Sequence, residues 1–182
     1  EASRLERITE DLLRLTRLDS GAVEPAVCVA VKPVLERAAR MLQPVAGQRE
    51  VELTCRADEA AAVRATEGDV HQILYNLMEN GVKYTAPGGF VHTSVSVEEG
   101  RVVITVSDNG IGIPAEDMPH IFERFYRVDK ARSRQIGGTG LGLSIVGDTV
   151  QRRGGEIGVA PREGGGTVFT VSFPQAEPEV TA

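Results

Sequence analysis

The chain has 182 residues, a formal net charge of −6, 41% hydrophobic residues, and 4% aromatic residues with no tryptophan. That length holds one domain of ordinary size plus an appendage, and the composition gives it an aliphatic core. The acidic balance excludes the basic footprint of nucleic-acid binding, no apolar run reaches the roughly 18 residues of a membrane span, and no signal-peptide pattern is present.

Residues 1–19 predict a helix in which Leu5, Ile8, Leu12 and Leu15 form a heptad seam, flanked by Arg4, Glu6, Arg7, Glu10, Asp11 and Arg14. Gly21 follows as a C-terminal stop. A narrow seam this short is not stable alone. It calls for other helices, from a second chain or from sequence missing from this one; the alternative is docking on the following domain.

After a hinge (Gly21 to Pro25), a strand is expected at about Val27–Val31. A helix from Pro33 to Val45 follows, buried on Leu35, Ala38, Leu42 and Val45, with Pro33 suiting its first turn. Strands at Val51–Arg56 and Ala62–Ala65 precede a helix from Asp69 to Tyr84. Cys55 alternates with Val51 and Leu53 toward a core, while Cys28 points opposite to Val27, Val29 and Val31. Neither a disulfide framework nor a zinc site is expected, and two cysteines fit a reducing compartment. A hairpin comes next: Val91, Thr93, Val95 and Val97 alternate with polar residues, Glu98-Glu99-Gly100 turns, and Val102–Asp108 returns. A short helical signal spans Ala115–Arg127. A helix from Leu141 to Arg152 and a hairpin of Glu156–Ala160 with Thr167–Phe173 complete the pattern, and residues 175–182 read as a disordered tail. Strands that alternate cleanly have one covered face. The economical fold is therefore α+β: a two-layer sandwich with a mixed, largely antiparallel sheet covered on one face by three helices.

The helix from Asp69 to Tyr84 carries a polar stripe that its fold does not need. Asn76, Asn80 and Lys83 share one side, offset by roughly a third of a turn from the apolar face of Val70, Ile73, Leu74, Leu77 and Gly81. Asparagine is a poor helix former, and a half-buried amide needs a partner. Carbonyl oxygens so spaced suit a hard cation, and a lysine one turn on suits a phosphate. Asp108 ends its strand pointing toward the helices, where a carboxylate must accept hydrogen bonds. Asn109-Gly110-Ile111-Gly112-Ile113-Pro114 then lets backbone approach a flat group closely, and an acceptor beside such a space suits an exocyclic amine such as that of adenine. An Asp-led turn is the plain alternative.

A second glycine cluster, Gly137-Gly138-Thr139-Gly140-Leu141-Gly142-Leu143, opens a helix whose free N–H groups suit phosphate. Between the clusters, Phe122-Glu123-Arg124-Phe125-Tyr126-Arg127 leads to Lys130, Arg132 and Arg134. A long loop carrying cations, about residues 113–139, reads as a lid over an anion. There is no Gly-Lys-Ser/Thr, which excludes a Walker-type loop. Gly110-x-Gly112-x-x-Ala115 imitates a dinucleotide fingerprint, but Pro114 and the lid replace the helix and strand which that fold requires.

Four motifs in order resemble those of sensor histidine kinases. Asn76-Leu77-Met78-Glu79-Asn80-Gly81-Val82-Lys83-Tyr84-Thr85 is similar to their N box, and Asp108 to Gly112 to the first glycine box. Phe122 to Arg127 resembles the phenylalanine box, and Gly138 to Leu143 the second glycine box. The resemblance covers residues 26–174 and implies a Bergerat-type site for ATP and Mg2+. By that resemblance, Asp108 accepts from the adenine amino group and Gly110, Gly112 and Ile113 shape the base pocket. Asn80 ligates magnesium with Asn76 assisting. Lys83, Tyr84 and Arg127 face phosphates or ribose, and Gly138, Thr139, Gly140, Leu141 and Gly142 line the phosphate channel. Phe122 and Phe125 are expected to anchor the lid apolarly.

Residues 1–21 resemble the end of the second helix of the dimerisation domain, with residues 22–25 as hinge. The chain then reads as truncated inside that hairpin, as the cytoplasmic part of a membrane-anchored sensor. Its implied partners are ATP or ADP, the kinase's own dimerisation domain in a homodimer, and a response regulator. No nucleic acid is implied, and no membrane contact by this fragment.

The superfamily's clamp-type ATPases place a water-activating glutamate four residues before the magnesium asparagine. Here Asn76, which cannot take a proton, holds that position. Glu79 lies about 100° round the helix from Asn80, where a solvated face is expected. His71, His92 and His120 lack the acidic residue and nearby proline of the family's acceptor motif, so the nucleophile is expected elsewhere.

Overall fold

The computed structural model describes residues 2–128 and 138–177, with side chains from Leu5 onward. Lys130, Arg132, Arg134, Gly137 and the tail from residue 178 lie outside the described residues, as does that middle part of the expected lid. The elements are α1 (Ala2–Asp19), β1 (Val27–Ala30), α2 (Val31–Gln48), β2 (Glu52–Ala57), β3 (Ala62–Ala65), α3 (Glu67–Tyr84), β4 (Phe90–Glu98) and β5 (Arg101–Asp108). A 3₁₀ turn (Met118–His120), α4 (Gly142–Arg152), β6 (Glu156–Pro161) and β7 (Thr167–Pro174) follow.

The main sheet is five-stranded in the order β2-β4-β5-β7-β6, and β1 and β3 form a separate antiparallel pair. Strand β2 pairs parallel with β4, and the other neighbours are antiparallel. The mixed, largely antiparallel sandwich expected from the pattern is thus the observed one. Val91, Val95, Val102, Ile104, Val106, Phe169, Val171 and Phe173 supply the covered face of the sheet and pack into one core with α2, α3 and α4. α3 crosses close to β4 at Gly81, where a Cβ would come within 3.0 Å of Val91. A capping box starts α3: Thr66 Oγ1 accepts from the Asp69 N–H, and Asp69 Oδ2 accepts from the Thr66 N–H. Arg153 at the end of α4 pairs with the same Asp69 carboxylate at 2.6 Å, so the start of α3 and the end of α4 are tied together.

Several local expectations change. α2 begins at Val31 and continues through Pro44, and Val45 is exposed while Ala46 takes its place in the core. Cys55 is exposed: β2 is an edge strand, and Cys55 opens onto a small groove that Lys32, Leu35 and Glu36 of α2 line from the other side. The signal over 115–127 yields only the 3₁₀ turn. Beyond Pro174 the chain stays attached, since Gln175 N–H donates to Gly100 O and Ala176 N–H to Ala62 O.

α1 docks on the domain. Leu15 is buried against Leu141 and Ile145, and Arg124 reaches Asp19 with two hydrogen bonds of 2.7 and 3.0 Å. Arg152 donates to the Leu18 carbonyl. Leu5 and Leu12 nevertheless remain 65% and 45% exposed. Of the four seam residues, Leu15 is buried, Ile8 is half-buried, and Leu5 and Leu12 stay exposed.

Candidate functional site

Between α3, the end of β5, the start of α4 and the flank of α1 lies a cleft of about 430 Å³, within the size range of small-molecule sites. Asn76, Asn80, Lys83 and Tyr84 enter it from α3, and Asp108, Gly112 and Ile113 from the end of β5 and its loop. Arg127, Gly138, Thr139, Gly140 and Gly142 line the opposite side. The fold therefore brings into one cavity motif residues that span 66 positions of sequence, Asn76 to Gly142.

Asp108 sits at the bottom, 6% exposed. Burial raises its pKa above the ordinary 3.8, opposed by the backbone N–H groups of Gly110 and Thr167 and by the charge of Arg162. Its Oδ1 accepts from Gly110 N–H at 2.9 Å. Close backbone packing fixes the loop behind it: a Cβ on Gly110 would stand 2.3 Å from the Tyr84 carbonyl, and one on Gly166 1.9 Å from the Asp108 carbonyl. Gly110 consequently backs the site without lining it. Leu141 does not line it either, because its side chain packs with Leu15 and Ile145 while its N–H donates to Thr139 Oγ1.

The Asn76 amide nitrogen is buried without a partner, and a Cβ on Gly142 would lie 3.6 Å from Asn76 Oδ1. The asparagine stripe thus faces the second glycine cluster, with an unpaired donor between them. Lys83 is half-buried; burial lowers its pKa, and the neighbouring Glu79 carboxylate works against that shift. Arg127 donates to the Gly138 carbonyl. Phe125, in left-handed backbone conformation, donates its N–H to Gly140 O at 3.0 Å, so both ends of the described lid meet at the glycine cluster. Phe122 packs edge-on against Phe169 as an apolar anchor, whereas Phe125 is 63% exposed and anchors through its backbone alone.

The sequence did not reveal that α1 completes the cleft. Arg7, Glu10, Asp11 and Arg14 line it, and Asp11 Oδ2 accepts from Thr139 Oγ1 at 3.1 Å. Burial raises the Asp11 pKa against that hydrogen bond. Glu79, expected on a solvated face, is instead 12% exposed and 2.9 Å from Arg7, because α1 covers that side of α3. The charged i, i+3 and i+4 flank of the seam was the available signal, but nothing in it says which surface it meets. Among the described residues no group of three or more His, Cys, Asp or Glu side chains could cage a metal.

His71 stacks on Tyr75 along α3 with ring centroids 5.7 Å apart. His92 shares a hydrogen bond with Thr54 on the sheet, and His120 pairs with Glu123. Of the three, His71 lines the cleft, from the side of α3, and His92 and His120 do not.

A family model described as histidine kinase-, DNA gyrase B- and HSP90-like ATPase matches residues 65–177. Among curated proteins, the chain is 36% identical over 180 residues to the sensor histidine kinase WalK of Bacillus subtilis, covering 97% of this chain and 30% of that protein. It is 35% identical over 174 residues to the sensor histidine kinase YkoH of the same organism, covering 95% of this chain and 37% of that one. The chain spans about a third of the length of these relatives. Among solved structures, full-length ShkA in complex with AMPPNP superposes with a TM-score of 0.81 at 31% identity, over 94% of this chain and 36% of that one. The histidine kinase ThkA in complex with the response regulator protein TrrA shares the fold with a TM-score of 0.76 at 23% identity, over 97% of this chain and 48% of that one.

Proposed function

The chain belongs to the family of histidine kinase-, DNA gyrase B- and HSP90-like ATPases, and on that premise we propose that it is the ATP-binding catalytic domain of a sensor histidine kinase. It hands the γ-phosphoryl group of ATP to a histidine on a dimerisation domain, for relay to an aspartate of a response regulator. The observation that carries this reading is the meeting of the amide stripe of α3, the buried Asp108 and the second glycine cluster around one cleft.

In this reading Asp108 accepts from the adenine amino group, while Gly112 and Ile113 bound the base. Lys83, Tyr84 and Arg127 face phosphates and ribose, and Gly138, Thr139, Gly140 and Gly142 line the phosphate channel. Asn80, with Asn76, would hold Mg2+, whose chemistry is to neutralise charge on the phosphates. The amide oxygens of Asn76 and Asn80, both lining the cleft, are hard donors that fit such an ion together with the ligand's phosphate oxygens, and the unpartnered Asn76 amide N–H is left to donate to a phosphate oxygen. Catalysis then rests on positioning and charge neutralisation. Residues 1–21 are the end of a dimerisation helix, 22–25 the hinge and 26–174 the catalytic domain, in a kinase that works as a homodimer. Among the described residues no helix is long and apolar enough to cross a membrane.

A clamp-type ATPase is the second reading, favoured by one observation: a carboxylate, Glu79, does enter the cleft. It is committed to two cations, Arg7 and Lys83, which leaves it a poor base for water. Mixing the chain with a dimerisation fragment and γ-labelled ATP separates the two. Transfer predicts an acid-labile, base-stable phosphoprotein. Rapid phosphate release without it, lost in Asn76→Ala, would identify the clamp.

A further inference from the structure

α3 places a carboxylate inside a cleft whose proposed ligand is a polyanion. Repulsion between like charges works against binding there, so what Glu79 touches decides what it does. Its Oε2 lies 2.9 Å from Arg7 Nη2 and 3.4 Å from Lys83 Nζ. The Glu79 and Lys83 side chains are 12% and 17% exposed, too enclosed for water to replace the pairing freely. Lys83 comes from α3 one turn on, and Arg7 comes from α1, so one carboxylate gathers cations from two elements. Arg7 and Lys83 against Glu79 leave the trio one excess positive charge, which Asp11 of α1, a further carboxylate acting on Lys83, offsets in part.

We propose that Glu79 is a positioning residue for the phosphate end of the cleft: it tethers Lys83 and recruits Arg7 of α1 as a second cation for the terminal phosphates of the nucleotide. The proposal rests on the nucleotide reading given above. It makes α1 part of the binding site, because Arg7 reaches the cleft only while α1 is docked through Leu15, Leu18 and Asp19. An i, i+4 Glu–Lys pair is also an ordinary feature of helix surfaces. The two roles differ in sign. A surface pair adds only negative charge to an anion site, so its neutralisation strengthens polyanion binding; a tether weakens binding when it is cut.

The test measures the affinity of the whole chain for AMPPNP and for AMP, each with Mg2+, in the wild type, Glu79→Gln, Arg7→Gln, Lys83→Met and the Glu79→Gln/Lys83→Met double variant. The tether predicts that Glu79→Gln binds AMPPNP about tenfold more weakly, the scale of one charge-assisted hydrogen bond, with AMP affinity unchanged. It also predicts that Glu79→Gln costs less in the Lys83→Met background than in the wild type, the remaining loss being that of Arg7. Equal or tighter AMPPNP binding by Glu79→Gln overturns the proposal while leaving the nucleotide site intact. A wild type that binds neither nucleotide overturns the nucleotide reading and this proposal with it. If Glu79→Gln lost AMP binding as well, Arg7→Gln would decide: a selective loss of AMPPNP supports recruitment of Arg7, and unchanged AMPPNP affinity overturns it.

Discussion

At the scale of single residues, the site is a set of polar groups placed where they cost stability. Asp108 is the clearest case. Its pKa stands above 3.8 because burial disfavours the charged form, so the folded chain holds that proton more tightly than the unfolded chain does. Above the folded pKa the buried charge is a stability cost, and that cost disappears as the pH falls. Acidification through this window, above 3.8, should therefore weaken adenine-nucleotide binding without Asp108 itself promoting unfolding. Titration of affinity and melting temperature against pH checks the two separately. Asp108→Asn should weaken binding of adenine nucleotides and leave the fold intact; unchanged affinity in calorimetry would remove the adenine role. Asn80→Asp should lower Mg2+-dependent phosphoryl transfer more than it lowers affinity for AMP. Equal losses would show that the asparagine holds the base end instead.

At the scale of elements, α3 is the beam that carries the site, and its N-terminal box sets its register. Thr66→Ala removes the Thr66 Oγ1 acceptor for Asp69 and should cost about 1 kcal/mol of unfolding free energy in a denaturant titration. α1 behaves differently, since its buried contact with the domain centres on Leu15. Leu15→Ala should release α1, seen as faster amide exchange over residues 5–19, while the melting temperature of the rest of the domain changes little. Period-two and period-3.6 patterns made the sheet and helices readable in advance, because burial of one face repeats along each element. The stripe of Asn76, Asn80 and Lys83 was readable for the same reason. The position of Glu79 was not, because its partner on the covering helix, Arg7, lies 72 residues away in sequence. Cys55 misled for a related reason: alternation gives a face, but not whether a neighbouring helix extends over it.

At the scale of the whole molecule, a five-stranded sheet and the helices on one face hold the four motifs around a single cleft, and a docked α1 closes its flank. The helix is fastened along the flank that carries Arg7, Asp11, Leu15 and Asp19, while Leu5 and Leu12 stay exposed, an arrangement suited to a segment that meets a further helix while staying attached to the domain. The account as a whole depends on nucleotide occupancy of that cleft. The most direct measurement is calorimetric titration of the folded chain with AMPPNP in the presence of Mg2+. Saturable binding of one nucleotide per chain, abolished or strongly weakened by Asp108→Asn, is the predicted result; no heat at any workable concentration, or binding indifferent to Asp108, would contradict it.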